Sequence, residues 1–241
     1  MSAEPQLIVN GKRTDGRGPT DLRPLKIDVG IIKNAAGSSY IEHGKNKIYA
    51  AVYGPKDSHR YGTSMEKAVI RCRYHMSPFS TDERKNPQPS RREIEISKVI
   101  RDALEPALLL ENFPKTIIDV FIEVLQSDGG SRSASITAAS VALADAGIPM
   151  RDLVQAVAVG KVNGTLVLDL NDIEDKEGEA DMPVAFMLNE NKITLLQMDG
   201  KMTVEEFKAG ITMAMEAAKK IKEIQKEALQ RKYAQAGEGS R

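Results

Sequence analysis

Asp128-Gly129-Gly130-Ser131-Arg132-Ser133-Ala134 sets two consecutive glycines, two hydroxyls and a guanidinium directly before a small-residue run, residues 135–146, that ends at Gly147 with Pro149 beyond. That run has the composition and stop signals of a helix. Glycines let a backbone approach an anion closely, a helix N-terminus offers unpaired N–H groups with partial positive charge, and an arginine adds a bidentate fork. The chemistry on offer is the holding of a phosphate. The spacing is neither that of a Walker A loop nor the G-x-G-x-x-G of dinucleotide folds, and a tight turn whose glycines serve only chain reversal is the other use of such residues.

Two further groups carry charge in patterns that matter. Ser90-Arg91-Arg92-Glu93 has the S-x-x-E form of a capping box, which puts both arginines in the first turn of a helix. Cations there oppose the helix dipole at ~0.3–1 kcal/mol each, which a bound polyanion would offset; two solvated arginines, or a pairing with Glu93 or Glu95, are the other reading. From Asp169 to Asp181 the chain holds seven carboxylates against one lysine. Such a stretch is either a solvated loop or, if Gly178 bends it, a device that brings Asp175 and Asp181 together. Two convergent carboxylates divide the work of proton donation and divalent-metal binding, because crowding raises one pKa unless a metal neutralises the pair.

Around these groups the chain offers elements to hold them. Residues 1–24, rich in Gly, Pro, Arg and Asp, have no apolar periodicity and form an irregular N-terminal arm. Strand-like runs at 27–33, 38–43, 47–53 and 67–76, separated by Gly37, Gly44 and Gly54-Pro55, predict an antiparallel meander. Residues 56–65 make a basic loop containing Arg60. Ile96, Val99, Ile100, Ala103 and Leu104 give the helix after Ser90 its apolar stripe, and 115–126 alternate as a half-buried strand. Runs 154–162 and 165–170 flank Asn163-Gly164, a hairpin signal. Strands at 182–188 and 192–197 and a long helix after Thr203 and Glu206 complete the chain. The fold class is α+β, in two lobes: 25–149 with the candidate phosphate loop, 150–235 with the acidic loop and C-terminal helix, and 236–241 as a tail.

Composition removes several classes. The single cysteine, Cys72, forms no internal disulfide and belongs to no zinc spacing, and 241 residues bury a core without staples. His43, His59 and His75 have neither ligand nor triad spacing. No apolar run reaches the ~20 residues of a membrane span, and a soluble, cytoplasmic protein with no membrane partner is expected. Net charge is zero, but residues 1–101 carry 19 Lys and Arg against 11 Asp and Glu, while the remainder carries 15 against 23. One part is suited to an anion, the other concentrates carboxylates. With no Trp and 5% aromatics, base-stacking platforms are not expected, and a nucleic acid would be held through its backbone.

Taken together, residues 13–19, 74–84, Ser90-Arg-Arg-Glu-Ile-Glu, 128–134 and 174–185 resemble the RNase PH superfamily, over about residues 11 to 225. Gly-Gly-Ser-Arg-Ser-Ala, where the bacterial enzyme has Gly-Gly-Thr-Arg-Thr-Ala, favours the exosome branch. The resemblance implies the two-lobed RNase PH fold, related to domain 2 of ribosomal protein S5. It implies phosphate-dependent 3′→5′ trimming of single-stranded RNA to nucleoside diphosphates, reversible to tail synthesis. By the same resemblance Gly129, Gly130, Ser131 and Arg132 form the phosphate loop, Arg92 lies near phosphate and the RNA end, and Arg91 grips the RNA backbone. Asp175 and Asp181 match the catalytic acidic pair, with Asp175 as general acid and Asp181 positioning Mg²⁺ or supporting that acid. Arg60 resembles residues that guide RNA through a narrow ring entrance. Implied partners are an inactive RNase-PH-like sister subunit, alternating in a hexameric ring, and RNA-binding cap proteins; inorganic phosphate is the co-substrate. A non-catalytic RNA-positioning subunit and a small-molecule kinase on the related fold are the alternatives.

Overall fold

The computed structural model describes residues 6–57 and 66–238; Arg60 and His59 lie outside them. The arm is less irregular than expected. Val9-Asn10-Gly11-Lys12 forms a two-residue turn with φ of 52° at Asn10 and 74° at Gly11, joining β1 (Ile8–Val9) to β2 (Lys12–Arg13). Both turn residues adopt the positive φ that an Asn-Gly hairpin favours, a signal present in the sequence.

The first sheet comprises β3 (Leu25–Val29), β4 (Gly37–His43), β5 (Asn46–Asp57), β6 (Val69–Met76) and β7 (Thr116–Gln126), in the order β3-β4-β5-β7-β6. The expected meander therefore holds only for β3 to β5. β6 leaves the antiparallel series and runs parallel to β7, which separates it from β5. The physical reason lies in β7 itself: Ile118, Val120, Ile122 and Val124 are all essentially buried, so the most apolar strand takes an interior position and β6 becomes an edge. Cys72 lies on β6, its thiol pushed up to about 12 by burial, as suits a small hydrophobe.

The first two helices follow from local rules. α1 (Arg91–Leu104) starts with the expected box, Ser90 Oγ accepting from the Glu93 amide at 3.2 Å and Glu93 Oε2 from the Ser90 amide at 2.6 Å. α2 (Ser131–Asp145) begins four residues earlier than the sequence suggested, because Gly130 in the left-handed region, φ 65°, turns the chain straight into the helix. Ser131, Arg132 and Ser133 thus belong to its first turn. α2 is buried nearly all round and lies between the two sheets, touching β4 and β5 on one side and β8 and β10 on the other.

The second sheet is built from β8 (Gln155–Val162), β9 (Thr165–Leu168), β10 (Ala180–Met187), β11 (Lys192–Leu196) and β12 (Asp199–Gly200), with β10 central between β8, β11 and β12. Asn163 and Gly164, φ 45° and 73°, form the expected hairpin turn. The acidic connection is not only loop. Asn171 Oδ1 accepts from the Glu174 amide and Glu174 Oε2 from the Asn171 amide, both at 3.0 Å, opening the short helix α3 (Asp172–Glu177).

α4 (Val204–Glu238) begins with the Thr203/Glu206 box. Its helix runs on to Glu238, into the residues expected as a tail. Ala214, Ala217, Ala218 and Ile221 pack on Val157, Val159, Val184 and Phe186, whereas Ala228 and Leu229 reach the core of the first sheet. The two sheets are therefore tied by α2 between them and by α4 across them.

Candidate active site

The glycine loop is shaped by residues far away in sequence. Gly129 and Gly130 have φ of 70° and 65°, a conformation that costs other residues strain. A Cβ on Gly129 would stand 2.5 Å from the Asn171 carbonyl carbon, so only glycine lets this loop lie against the start of α3. Asn46 closes the other side, its Nδ2 donating to the Gly129 carbonyl and its Oδ1 accepting from the Asp128 amide, both at 2.7 Å. Arg23 donates to the carbonyls of Asp128 and Gly129. In a trans peptide the N–H points opposite to the carbonyl, so anchoring these carbonyls turns the amides of Gly129 and Gly130 away from Asn46 and Arg23.

Beyond Gly130 no side chain caps α2, and the amides of its first turn have no acceptor within the helix. Ser131 Oγ lies 2.9 Å from the hydroxyl of buried Tyr74. Arg132 Nη1 donates to Gln197 Oε1, while its Nε is buried without a partner, as is Ser133 Oγ. Buried polar groups are normally satisfied, so orphaned donors at a helix N-terminus mark a place for an anion.

The acidic side is equally anchored. Asp169 has φ 58° and is buried. Its carboxylate receives the Arg23 fork at 2.7 and 3.0 Å and the Arg23 amide at 2.8 Å, with His43 Nε2 at 3.0 Å. Burial pushes this carboxyl up, but His43 and Arg23 hold it well below the usual range. Glu174 points inward, fully buried in an ion pair with Arg13, whose guanidinium also donates to the carbonyls of Leu168 and Asp169. With Glu174 pinned inward, Asp175 is turned about 100° around the helix from it and is half-buried.

Asp181 stands on the central strand, opposite Gly160 on β8 and Asp199 on β12. Burial, with the charge of Asp175 added, pushes its carboxyl up to about 7 against the pull of Arg132 and Arg92. Its Oδ1 is buried with no partner. Asp175 is raised too, chiefly by burial, with Arg92 opposing. The fields of Arg92, Arg132, Asp175 and Asp181 therefore meet. Arg91 and Arg92 are both exposed on the first turn of α1, and Arg92 is the one whose charge reaches both aspartates. Among the described residues no three or more His, Cys, Asp or Glu side chains are arranged around one metal position. Two carboxylates, one with a free oxygen, do fit Mg²⁺, which commonly takes one or two protein carboxylates beside water and phosphate oxygens.

Residues 21–149 match the 3′ exoribonuclease family, domain 1, and residues 152–217 match domain 2 of the same family. The chain belongs to the RNase PH family of 3′ exoribonucleases. Its RNase PH relatives include the Exosome complex component Rrp41 of Pyrococcus furiosus, 61% identical over 235 residues that cover 96% of this chain and 94% of that one. The protein of the same name from Nitrosopumilus maritimus is 59% identical, covering 93% and 92%. The RNase PH fold recurs in the crystal structure of rice Rrp46, with a TM-score of 0.83 at 28% identity, covering 90% of this chain and 100% of that one. It recurs also in an Archaeoglobus fulgidus exosome with RNA bound to the active site, TM-score 0.79 at 22% identity over 89% and 92% of the two chains.

Sequence reasoning singled out the glycine loop, the arginines and the two aspartates, and missed the groups that hold them in place: Arg23, Asn46, Asp169 and His43. Asn171-x-x-Glu174 was a legible cap signal. Nothing local marks Asn46 or Arg23, whose partners lie 82 to 146 residues away.

Proposed function

We propose that this chain is the catalytic subunit of an exosome ring and trims single-stranded RNA from its 3′ end by phosphorolysis. The observation that carries this is the contact of Gly129 with Asn171, which seats an uncapped helix N-terminus beside a carboxyl pair that retains a proton near neutrality. Orthophosphate approaching a phosphodiester brings two anions together, so the nucleophile needs donors that offset the repulsion. The amides after Gly129, the Ser131 hydroxyl and the Arg132 fork hold it, with Arg92 between it and the terminal phosphodiester. Arg91, exposed beside Arg92, grips the RNA backbone.

The attacking phosphate oxygen forms a new P–O bond, the bond to the 3′ oxygen breaks, and that oxygen takes a proton. Asp175 and Asp181 share that proton as a coupled pair, and apparent pKa values belong to the pair rather than to either residue. Asp175 delivers it, while Asp181, the more strongly raised, keeps the pair protonated. Where Mg²⁺ is bound, Asp181 as the ionised carboxylate would hold it and Asp175 would keep the proton; the ion would supply neutralisation of charge on the phosphate oxygens. Because a phosphodiester is exchanged for a diphosphate, the reaction runs backwards when nucleoside diphosphate is abundant, adding tails. A catalytically inactive sister subunit completing a six-membered ring, with RNA-binding cap proteins above it, is the assembly in which this site works.

Single-stranded RNA, incubated with this chain and such a sister subunit with and without orthophosphate, tests the proposal. Nucleoside diphosphates released only with phosphate are the expected products. Monophosphates released without it would overturn phosphorolysis.

A further inference from the structure

Arg132 does not stand alone at the anion site. It crosses the seam between α1 and β11 and is engaged from both sides. Gln197, one residue beyond β11, accepts from Nη1, and Glu95 on α1 places Oε2 3.8 Å from Nη2. Gln197 Nε2 in turn lies 3.4 Å from Glu95 Oε1, so the three side chains close a triangle. Gln197 is half-buried and Glu95 exposed.

The geometry of the guanidinium gives this triangle a meaning. Arginine presents two flat edges, one made by the two terminal nitrogens and one made by Nε with Nη2, and each edge matches an oxyanion. Gln197 pins Nη1. The Nε is buried with no partner, and Nη2 has a carboxylate nearby at a distance too long for a hydrogen bond. The Nε/Nη2 edge is thus left unpaired, with the Glu95 carboxylate 3.8 Å from Nη2. A free arginine would sample many rotamers and lose that entropy on binding.

We infer that Gln197 and Glu95 are positioning residues for phosphate. Gln197 fixes the Arg132 plane so that its Nε/Nη2 edge faces the anion, and Glu95 is a resident anion that incoming orthophosphate displaces. This rests on Arg132 being a phosphate ligand. Neither residue touches the reacting atoms. Both act through the affinity for one substrate: Gln197 strengthens the hold on phosphate, and Glu95 weakens it, which keeps the site from staying occupied after turnover.

The test measures KM for orthophosphate and for RNA, and kcat, with the chain assembled with its sister subunit. Q197A raises KM for phosphate about tenfold, the size expected for losing a hydrogen bond to a charged group, with kcat at saturating phosphate and KM for RNA within twofold of the parent. E95Q retains the oxygen that accepts from Gln197 and removes the charge. It lowers KM for phosphate two- to fivefold, as befits an exposed ion pair. A merely structural role would move kcat and thermal stability instead, and neither variant would bind phosphate more tightly than the parent. If R132A raises KM for phosphate while E95Q leaves it unchanged or raises it, the positioning role is refuted and the phosphate loop survives. If R132A itself leaves KM for phosphate unchanged, the loop assignment fails and this inference falls with it. Should Q197A fold poorly, E95Q alone decides.

Discussion

Replacing Asp181 by asparagine removes a carboxyl that the fold prefers to keep protonated. In the unfolded chain it titrates near 3.8, in the native protein at about 7, through burial and the charge of Asp175. A raised carboxyl pKa means that the native state binds the proton more tightly than the unfolded state. Stability from this group is therefore full below 3.8, declines as pH rises, and levels off above 7. Linkage at ~1.36 kcal/mol per pH unit sets the total at roughly 4 kcal/mol, of which somewhat more than half falls between pH 5 and pH 8. Asp181→Asn, nearly isosteric, escapes that loss. The assay is thermal unfolding of the purified chain in metal-free buffer at both pH values. Relative to the variant, the parent should lose roughly 5–10 °C more in Tm on going from pH 5 to pH 8, at ~2–4 °C per kcal/mol for a chain of this size. Added Mg²⁺, bound by ionised Asp181, should narrow the gap at pH 8. If parent and variant fall in parallel, Asp181 is an ordinary solvated carboxylate and the protonated pair is wrong.

Gly129→Ala combines left-handed strain with a collision against Asn171 and should cost more than roughly 1–3 kcal/mol, the cost of the strained backbone by itself. Gly147→Ala, also at positive φ but with nothing within 4 Å, should cost about 1 kcal/mol or a little more; urea midpoints compare the two, and equal losses would deny the close approach. Glu174→Ala leaves Arg13 buried without its counter-ion and should destabilise by about 3–5 kcal/mol in chemical denaturation; a loss under ~1 kcal/mol would mean the pair does not anchor α3. Arg132→Ala should raise the phosphate requirement sharply, whereas Arg91→Ala should chiefly weaken RNA retention and lower the slope of log affinity against log salt by about one. An unchanged slope in filter-binding titrations would take Arg91 off the RNA backbone.

What lies close in sequence was settled by the sequence itself. Ser90/Glu93 and Thr203/Glu206 cap helices because side chain and amide are three residues apart and need no distant partner. Asn163-Gly164 turns because both residues tolerate positive φ, and Gly129-Gly130 announces a close approach for the same reason. Even the features first read otherwise, Asn10-Gly11 and Asn171-x-x-Glu174, carried local signals. Tertiary structure alone decided the rest. Alternation along β6 and β7 marks one buried face but is blind to which strands become neighbours, so the parallel pairing had no local trace. Asp175 and Asp181 share a field because α3 is clamped by Arg13 and β10 runs through the centre of its sheet. Arg23, joining the glycine loop to Asp169 across 146 residues, has the same local sequence character as any solvated arginine. Charge–charge and hydrogen-bond energies depend on separation in space, and a linear sequence specifies that separation only for near neighbours; only the folded chain fixes it for the others.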